Sequence, residues 1–254
     1  HKADIKDLEQ IESYFKNVDV VFHLAAEPRV PISIENPKNT HQINVGGTVN
    51  VLEAARENGV DDLIFSSSAA VYGDQEDLPI SEQAELNYKA PYGLHKIIGE
   101  RYTQLYSEVY DIDTVSLRYF NVYGPRKTAE GGYPMVIPIF LRQKQQGKPL
   151  TIVGDGKQTR DYVHVEDVVL ANITAWKSDI ESGEVFNIGT GTQTSVNEIA
   201  AIVGGETTQI PEREGEIRFS EADIDKAREK LDWKPQVGFE EGMSRLQDWW
   251  SSNR

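Results

Sequence analysis

Tyr92 and Lys96 stand four residues apart in "KAPYGLHK" (89–96), directly after a proline. Pro91 suits the first turn of a helix, where its missing N–H costs nothing. Residues at i and i+4 then share one face. A phenol has a reference pKa of about 10, and a neighbouring ammonium favours its ionised form. The pair could therefore remove a proton from a hydroxyl near neutral pH. The same spacing also fits an incidental Tyr/Lys pair on a solvated helix, and spacing alone does not separate the two.

The elements that would position this pair follow from hydrophobic patterning. "ADIKDLEQIESYFKN" reads as a strand end at Asp4–Ile5 and an amphipathic helix carrying Leu8, Ile11 and Phe15. "VDVVFHLAA" (18–26) and "VDDLIFSSSAAVYG" (60–73) are short apolar runs, the pattern of strands covered on both faces. Between them a helix over 36–59 begins at a proline and ends at Gly59. The Tyr92 helix runs to about Tyr110, and "DTVSLRYFNVYGP" (113–125) is a third strand. This alternation predicts βαβ units and a parallel sheet. Further on come a helix near 134–146, two short strands around an Asp155-Gly156 turn, a helix over 165–178, the strand "GEVFNIGTG", and helices near 195–203, 223–230 and 239–251. The fold class is α/β, a doubly wound parallel sheet with a smaller C-terminal lobe. In such sheets ligands bind outside the carboxyl ends of the strands. "HLAA", "FSSSAAVYG" and "RYFNVYGP" would then bring Ala25, Ala26, Ser66, Ser68 and Asn121 to one rim.

Composition narrows the function. The chain has 254 residues and no cysteine, which removes disulfides, thiolate metal sites and cysteine nucleophiles. A formal charge of −15 argues against nucleic acid and anionic membranes as partners. A phosphate-bearing ligand must then be held by a few placed arginines or helix N-termini. His1, His23, His41, His95 and His164 are scattered, so no metal site is read; His95 reads as a surface or interface residue. No apolar run reaches 18 residues and no signal-peptide pattern opens the sequence, which fits a cytoplasmic protein.

The ordered set "HLAA", "NVGGT", "FSSSAAVYG", "PYGLHK", "RYFNVYGP", "GDGKQTRDYVHVED", "FNIGTG" and "REGEIRFSEAD" resembles the extended short-chain dehydrogenase/reductases, and within them the NAD-dependent nucleotide-sugar epimerases of the UDP-glucose 4-epimerase type. The resemblance implies epimerisation at C4 of a UDP-sugar through a transient 4-keto intermediate. It implies a Rossmann-like NAD-binding domain (1–124 and about 164–190) and a nucleotide-sugar lobe (125–163 and 191–254). Tyr92 would be the base, Lys96 would lower its pKa and hold the nicotinamide ribose, and Ser68 would hydrogen-bond the reacting hydroxyl. Asp4, Ile5, Leu24, Ala25, Ala26, Asn44, Ser66 and Tyr119 would line the remaining cofactor groove. For the nucleotide sugar it implies Asn121 and Val136, Arg160 and Arg213 on the phosphates, Thr151 and Val153 around the base, and Glu216 on the ribose. Glu216 departs from the aspartate usual in the family. For Arg160 a salt bridge with Asp161 or Glu166 is the plainer alternative, and for Ser68 a turn cap. Ala69 and Ala70 stand where related dehydratases carry an acidic pair, and related decarboxylases also keep a glutamate there, which disfavours both reactions. The helices over 36–58 and 91–110 resemble those of the family's homodimer interface.

One family feature is not in this sequence: no G-x-x-G-x-x-G or G-x-G-x-x-G run occurs. The family opens with a strand, that glycine turn, a helix and a second strand, roughly 45–60 residues. The expectation is a longer native chain; a front simply not included in this sequence, or a reduced variant whose edge a partner covers, are the alternatives. "VDVVFHL" would form an open apolar edge, and an isolated fold of these residues would be surprising. A truncated, non-catalytic nucleotide-sugar-binding or regulatory module is therefore a second reading; the joint presence of Ser68, Tyr92 and Lys96 speaks against it.

Ser220 lies seven residues after Arg213, where some epimerases of this type carry a bulky tyrosine. A small residue leaves room for an acetamide. Purified protein is expected to turn over UDP-GalNAc as well as UDP-galactose in a coupled assay; turnover of UDP-galactose alone would refute this reading of Ser220.

Overall fold

Leu63, Ile64 and Phe65 sit side by side in one strand, yet their side chains enter two different cores. That alternation organises the protein, whose computed structural model describes residues 1–126, 135–212 and 217–253. The helices are α1 (Leu8–Ile11), α2 (Val30–Glu35), α3 (Pro37–His41), α4 (Gly47–Asn58), α5 (Pro91–Val109), α6 (Val136–Gln145), α7 (Val165–Lys177), α8 (Val196–Val203), α9 (Asp225–Leu231) and α10 (Phe239–Ser252). A π-helical turn, Gln42–Gly46, joins α3 to α4. The strands are β1 (Val20–His23), β2 (Asp62–Ser68), β3 (Asp113–Tyr119), β4 (Asn121–Tyr123), β5 (Leu150–Val153), β6 (Thr159–Arg160), β7 (Tyr162–His164), β8 (Glu184–Ile188), β9 (Thr194–Ser195) and β10 (Thr207–Ile210).

The main sheet has the order β1-β2-β3-β8 and every pairing in it is parallel. Helices therefore cover both faces. Leu63 and Phe65 pack with Leu52, Ala55 and Ile112 on the α4–α5 side. Ile64 packs with Leu117, Val168, Phe186 and Trp233 on the α7–α9 side. Another core gathers Phe140, Leu150, Ile199 and Met243 from α6, β5, α8 and α10. Helix α5 approaches β2 closely because Gly99 has no side chain: a Cβ there would lie 2.4 Å from the Phe65 ring.

Several elements differ from the patterning. Asp4–Ile5 forms a turn, not a strand end, and the Ile5 carbonyl accepts a hydrogen bond from the Asn50 side chain. β1 is the edge of the described sheet, and Phe22 on it is 36% exposed, with the Trp176 ring edge-on beside it; this strand is not covered on both faces. The 113–125 strand breaks at Phe120, after which β4 leaves the sheet and pairs with β7. The strands around Asp155-Gly156 are not a hairpin. β5 pairs with β10 and β6 with β9, each finding a partner distant in sequence. His95 is buried at 4% exposure, not a surface residue, because its α5 face packs on α3 and the π-helical turn.

A polar network crosses the apolar interior below the rim. In the β2–β3 register Ser67 lies beside Arg118, and Glu100 of α5 reaches both. Arg118 donates to the two Glu100 oxygens at 2.9 and 2.8 Å, and Ser67 Oγ donates to Glu100. Arg118 also reaches the Tyr72 hydroxyl (2.8 Å), which donates to Asn187 on β8 (2.6 Å). Breaking one partner of a buried pair costs about 3–5 kcal/mol, whereas replacing both by apolar groups is often neutral. Arg118→Met is expected to lower unfolding stability by that amount, and Glu100→Leu/Arg118→Met to recover most of it; chemical denaturation of both variants is the check.

Candidate active site

The parallel strands end together, and the residues able to do chemistry stand at their carboxyl ends. His23 of β1 is level with Phe65, and Ser68 of β2 with Tyr119 of β3. α5 starts above this rim. Its N-cap position, Ala90, offers no side-chain cap; instead the buried hydroxyl of Ser33 from α2 accepts the Tyr92 amide at 3.2 Å. Gly93 lets the first turn of α5 touch the loop after β2, since a Cβ there would lie 2.5 Å from the Ala70 carbonyl oxygen.

That contact brings Tyr92 to Ser68. Tyr92 is 8% exposed, with Ser68 near enough to its phenol to favour the ionised form. Ser68 also accepts the Ala70 amide at 3.2 Å, so it is a turn cap as well. Lys96, one turn along, is buried and donates from Nζ to the Ser66 carbonyl at 2.6 Å. Burial brings its pKa from 10.5 down to about 8, while Glu100 acts to raise it. The expectation that Lys96 lowers the Tyr92 pKa is not met in the protein alone. Burial pushes the phenol up, with Ser68 favouring the phenolate, and the Lys96 ammonium turns to the end of β2, 5.8 Å from the Tyr92 ring centre.

The neighbouring residues hold the rim in place. Asn44, buried on the π-helical turn, accepts the Glu27 amide at 2.8 Å and donates to the Glu27 carbonyl at 3.0 Å, fixing the chain after β1. Leu24 and Ala25 are exposed there, and Ala26 is half-buried. Ser66 Oγ lies 3.1 Å from the Tyr119 hydroxyl, which donates to Asn172 of α7. His23 shares a hydrogen bond with Thr48 (2.9 Å) and is kept neutral, its pKa lowered to about 3 by burial and by Lys96. Asp4 and Ile5 stand apart in the opening turn. Asp4 is exposed, with its pKa lowered by the Lys6 amide. The Ile5 side chain packs against Gly47, where a Cβ would lie 2.5 Å away.

The residues expected at the nucleotide sugar fall on β4 to β6, α6 and the segment before α9. Asn121 is tied by its amide and side chain to the Asp161 carbonyl. Arg160 donates to the Thr159 carbonyl at 2.7 Å. Asp161 is taken by Thr190, Gly191 and Ala222, and Glu166 pairs with Arg245. Thr151 is held by Gln143 of α6, and the Val153 carbonyl by Gln158. Val136 begins α6, and Ser220 is buried at 8% exposure. Arg213 and Glu216 lie outside the described residues. Ser33, Glu100 and Asp161 were not singled out as site residues by the sequence reading. Glu100 carried a signal, a charge four residues after Lys96 on the same helix face; Ser33 carried none.

The NAD dependent epimerase/dehydratase family matches residues 1–189. Among curated proteins, a UDP-glucose 4-epimerase of Mycolicibacterium smegmatis is 40% identical over 96% of this chain and 80% of its own. A crystal structure of UDP-glucose 4-epimerase from Thermotoga maritima with UDP-glucose is 37% identical, with a TM-score of 0.93, covering 99% of this chain and 84% of that one. UDP-N-acetylglucosamine 4-epimerase from Methanobrevibacter ruminantium, in complex with UDP-N-acetylmuramic acid, is 34% identical, with a TM-score of 0.94, covering 100% and 83%. The chain belongs to the NAD-dependent epimerase/dehydratase family, and its sheet is Rossmann-like. The donor set fits the nicotinamide-ribose half of NAD. Lys96 spends one of its three N–H groups on Ser66 within the described residues, leaving donors at the rim for a ribose. Among the described residues no helix is long and apolar enough to cross a membrane, and no group of three His, Asp or Glu could hold a metal ion.

The Gly93 contact sets the Tyr92–Ser68 distance. A misplacement of about 1 Å can cost 10²-fold in rate. Gly93→Ala is expected to lower kcat at least tenfold while the protein stays folded, as read by steady-state kinetics beside circular dichroism.

Proposed function

We propose that the protein interconverts C4-epimeric UDP-sugars, with UDP-glucose/UDP-galactose and UDP-GlcNAc/UDP-GalNAc as substrates. The observation that carries this reading is the convergence of Tyr92, Ser68 and Lys96 at the end of β2. When bound, NAD supplies the reversible hydride acceptor that such chemistry needs; Lys96, Asn44, Ser66, Tyr119 and the Leu24–Ala26 surface would hold it. Tyr92 takes the proton of the C4 hydroxyl at its phenolic oxygen, and Ser68 hydrogen-bonds that hydroxyl. The buried Lys96 ammonium keeps positive charge near the phenolate that forms. Loss of that proton together with the C4 hydride, for which bound NAD would be the acceptor, would leave the sugar a transient 4-keto species; once its other face is presented, the hydride would return to C4 and the proton held at Tyr92 to the oxygen.

Binding would run outward from this point, over Asn121 to Arg160 and Arg213 on the diphosphate, whose forked guanidinium groups suit phosphate oxygens. Residues 1–124 and about 164–190 would serve the cofactor, and 125–163 and 191–254 the nucleotide sugar. Ala69 and Ala70, after Ser68, provide no acid for a dehydration. A homodimer through α4 and α5 fits the exposure of Leu105, Val109 and Tyr110 on the outer face and end of α5.

Tyr92→Phe removes the base and keeps the shape. It is expected to reduce kcat for UDP-galactose by 10²–10⁴-fold with added NAD⁺, leaving UDP binding within about threefold. Undiminished turnover in this variant would overturn the assignment.

A further inference from the structure

We propose that Asp161 is a positioning residue for the diphosphate end of the site, an inference that rests on the roles given above to Asn121, Arg160 and Ser220. Asp161 lies between β6 and β7, directly after Arg160, and is fully buried. Its carboxylate meets four donors. One oxygen accepts the Thr190 amide at 2.7 Å and the Thr190 hydroxyl at 2.8 Å. The other accepts the Gly191 amide at 2.9 Å and the Ala222 amide at 3.1 Å. These four donors favour its ionised form, against burial, which pushes the carboxyl up.

The four bonds join segments far apart in sequence. Thr190 and Gly191 follow β8 at its carboxyl end. Ala222 stands two residues after Ser220. The Asp161 backbone carbonyl meanwhile accepts Asn121 through its amide (2.9 Å) and its side chain (3.3 Å). One residue thus fixes the chain at Asn121, Arg160 and Ser220 together. There is no slack beside it: a Cβ on Gly189 would lie 2.8 Å from the Asp161 carboxylate and 2.6 Å from Ala222 Cβ.

The charge of Asp161 works against its proposed role. A carboxylate next to a diphosphate site repels the ligand, so neutralising it would tighten binding if charge alone mattered. Positioning predicts the opposite sign. In Asp161→Asn an NH₂ group faces N–H donors, and at least one clamp bond is lost.

Calorimetric titration of UDP into the full 254-residue protein separates the two. Asp161→Asn is expected to weaken UDP binding at least tenfold and to raise KM for UDP-galactose in parallel, with kcat changed less than threefold. Thr190→Val, which deletes only the hydroxyl donor, is expected to weaken UDP binding about three- to tenfold, and it decides the matter should Asp161→Asn not fold. Unchanged or tighter UDP binding in the folded variants, with wild type binding normally, overturns the role of Asp161 alone. Wild-type protein that binds no UDP overturns the epimerase reading and this proposal with it.

Discussion

Taking a carboxylate and a guanidinium out of water costs several kcal/mol per ion, and this fold does so for Glu100 and Arg118 within its apolar interior. The bidentate geometry and the remaining bonds offset that cost. Glu100 also accepts Ser67, and Arg118 also reaches the Tyr72 hydroxyl and the Glu82 carbonyl (3.1 Å). Breaking one side leaves a buried charge, so α5, β2 and β3 are held in a single relation. That relation matters because Ser67 lies between the two residues that face Lys96 and Tyr92. Ser66 presents its carbonyl to Lys96, and Ser68 lies near the Tyr92 phenol.

The same arrangement explains why a lysine can be buried there. Lys96 has its pKa brought down to about 8, so the folded protein prefers the neutral form relative to the unfolded chain. The cost is full below pH 8, where both states are protonated, and fades as pH rises towards 10.5. The fold bears that cost at neutral pH and keeps an ammonium at the rim. It sits against the Ser66 carbonyl and the Phe65 ring, 5.0 Å from the ring centre. Glu100 moderates the cost without pairing directly with the lysine. Tyr92, raised by its own burial, stays protonated until something adds positive charge to its surroundings, which is where the chemistry of a bound dinucleotide would enter.

Much of this was legible in the residues. The apolar runs gave β1, β2 and β8, and Pro91 marked the start of α5, because local burial pattern and helix-start chemistry act within a few residues. The motifs singled out Ser68, Tyr92 and Lys96, which lie together at the end of β2. What escaped is long-range. The partners of β5 and β6 are β10 and β9, about 57 and 35 residues away, so a glycine turn between them looked like a hairpin. Ser33 caps a helix that starts nearly sixty residues later, and no spacing rule reaches that far. The direction of the Tyr92 pKa depends on burial and on where Lys96 points, and neither can be read from an i, i+4 interval.

An acidic chain has few cations, and each must be aimed by its own neighbours rather than by net charge. At the end of β2 Glu100 and Ser66 set the lysine. The most direct measurement of that arrangement is the titration of Lys96, followed by the ε-carbon NMR shift of labelled lysine in the intact protein and assigned with Lys96→Arg. A midpoint near 8 that falls further in Glu100→Gln is expected. A midpoint at the ordinary lysine value, near 10.5, and insensitive to Glu100 would mean that the ammonium is not buried at the end of β2, and the site as described here would be wrong.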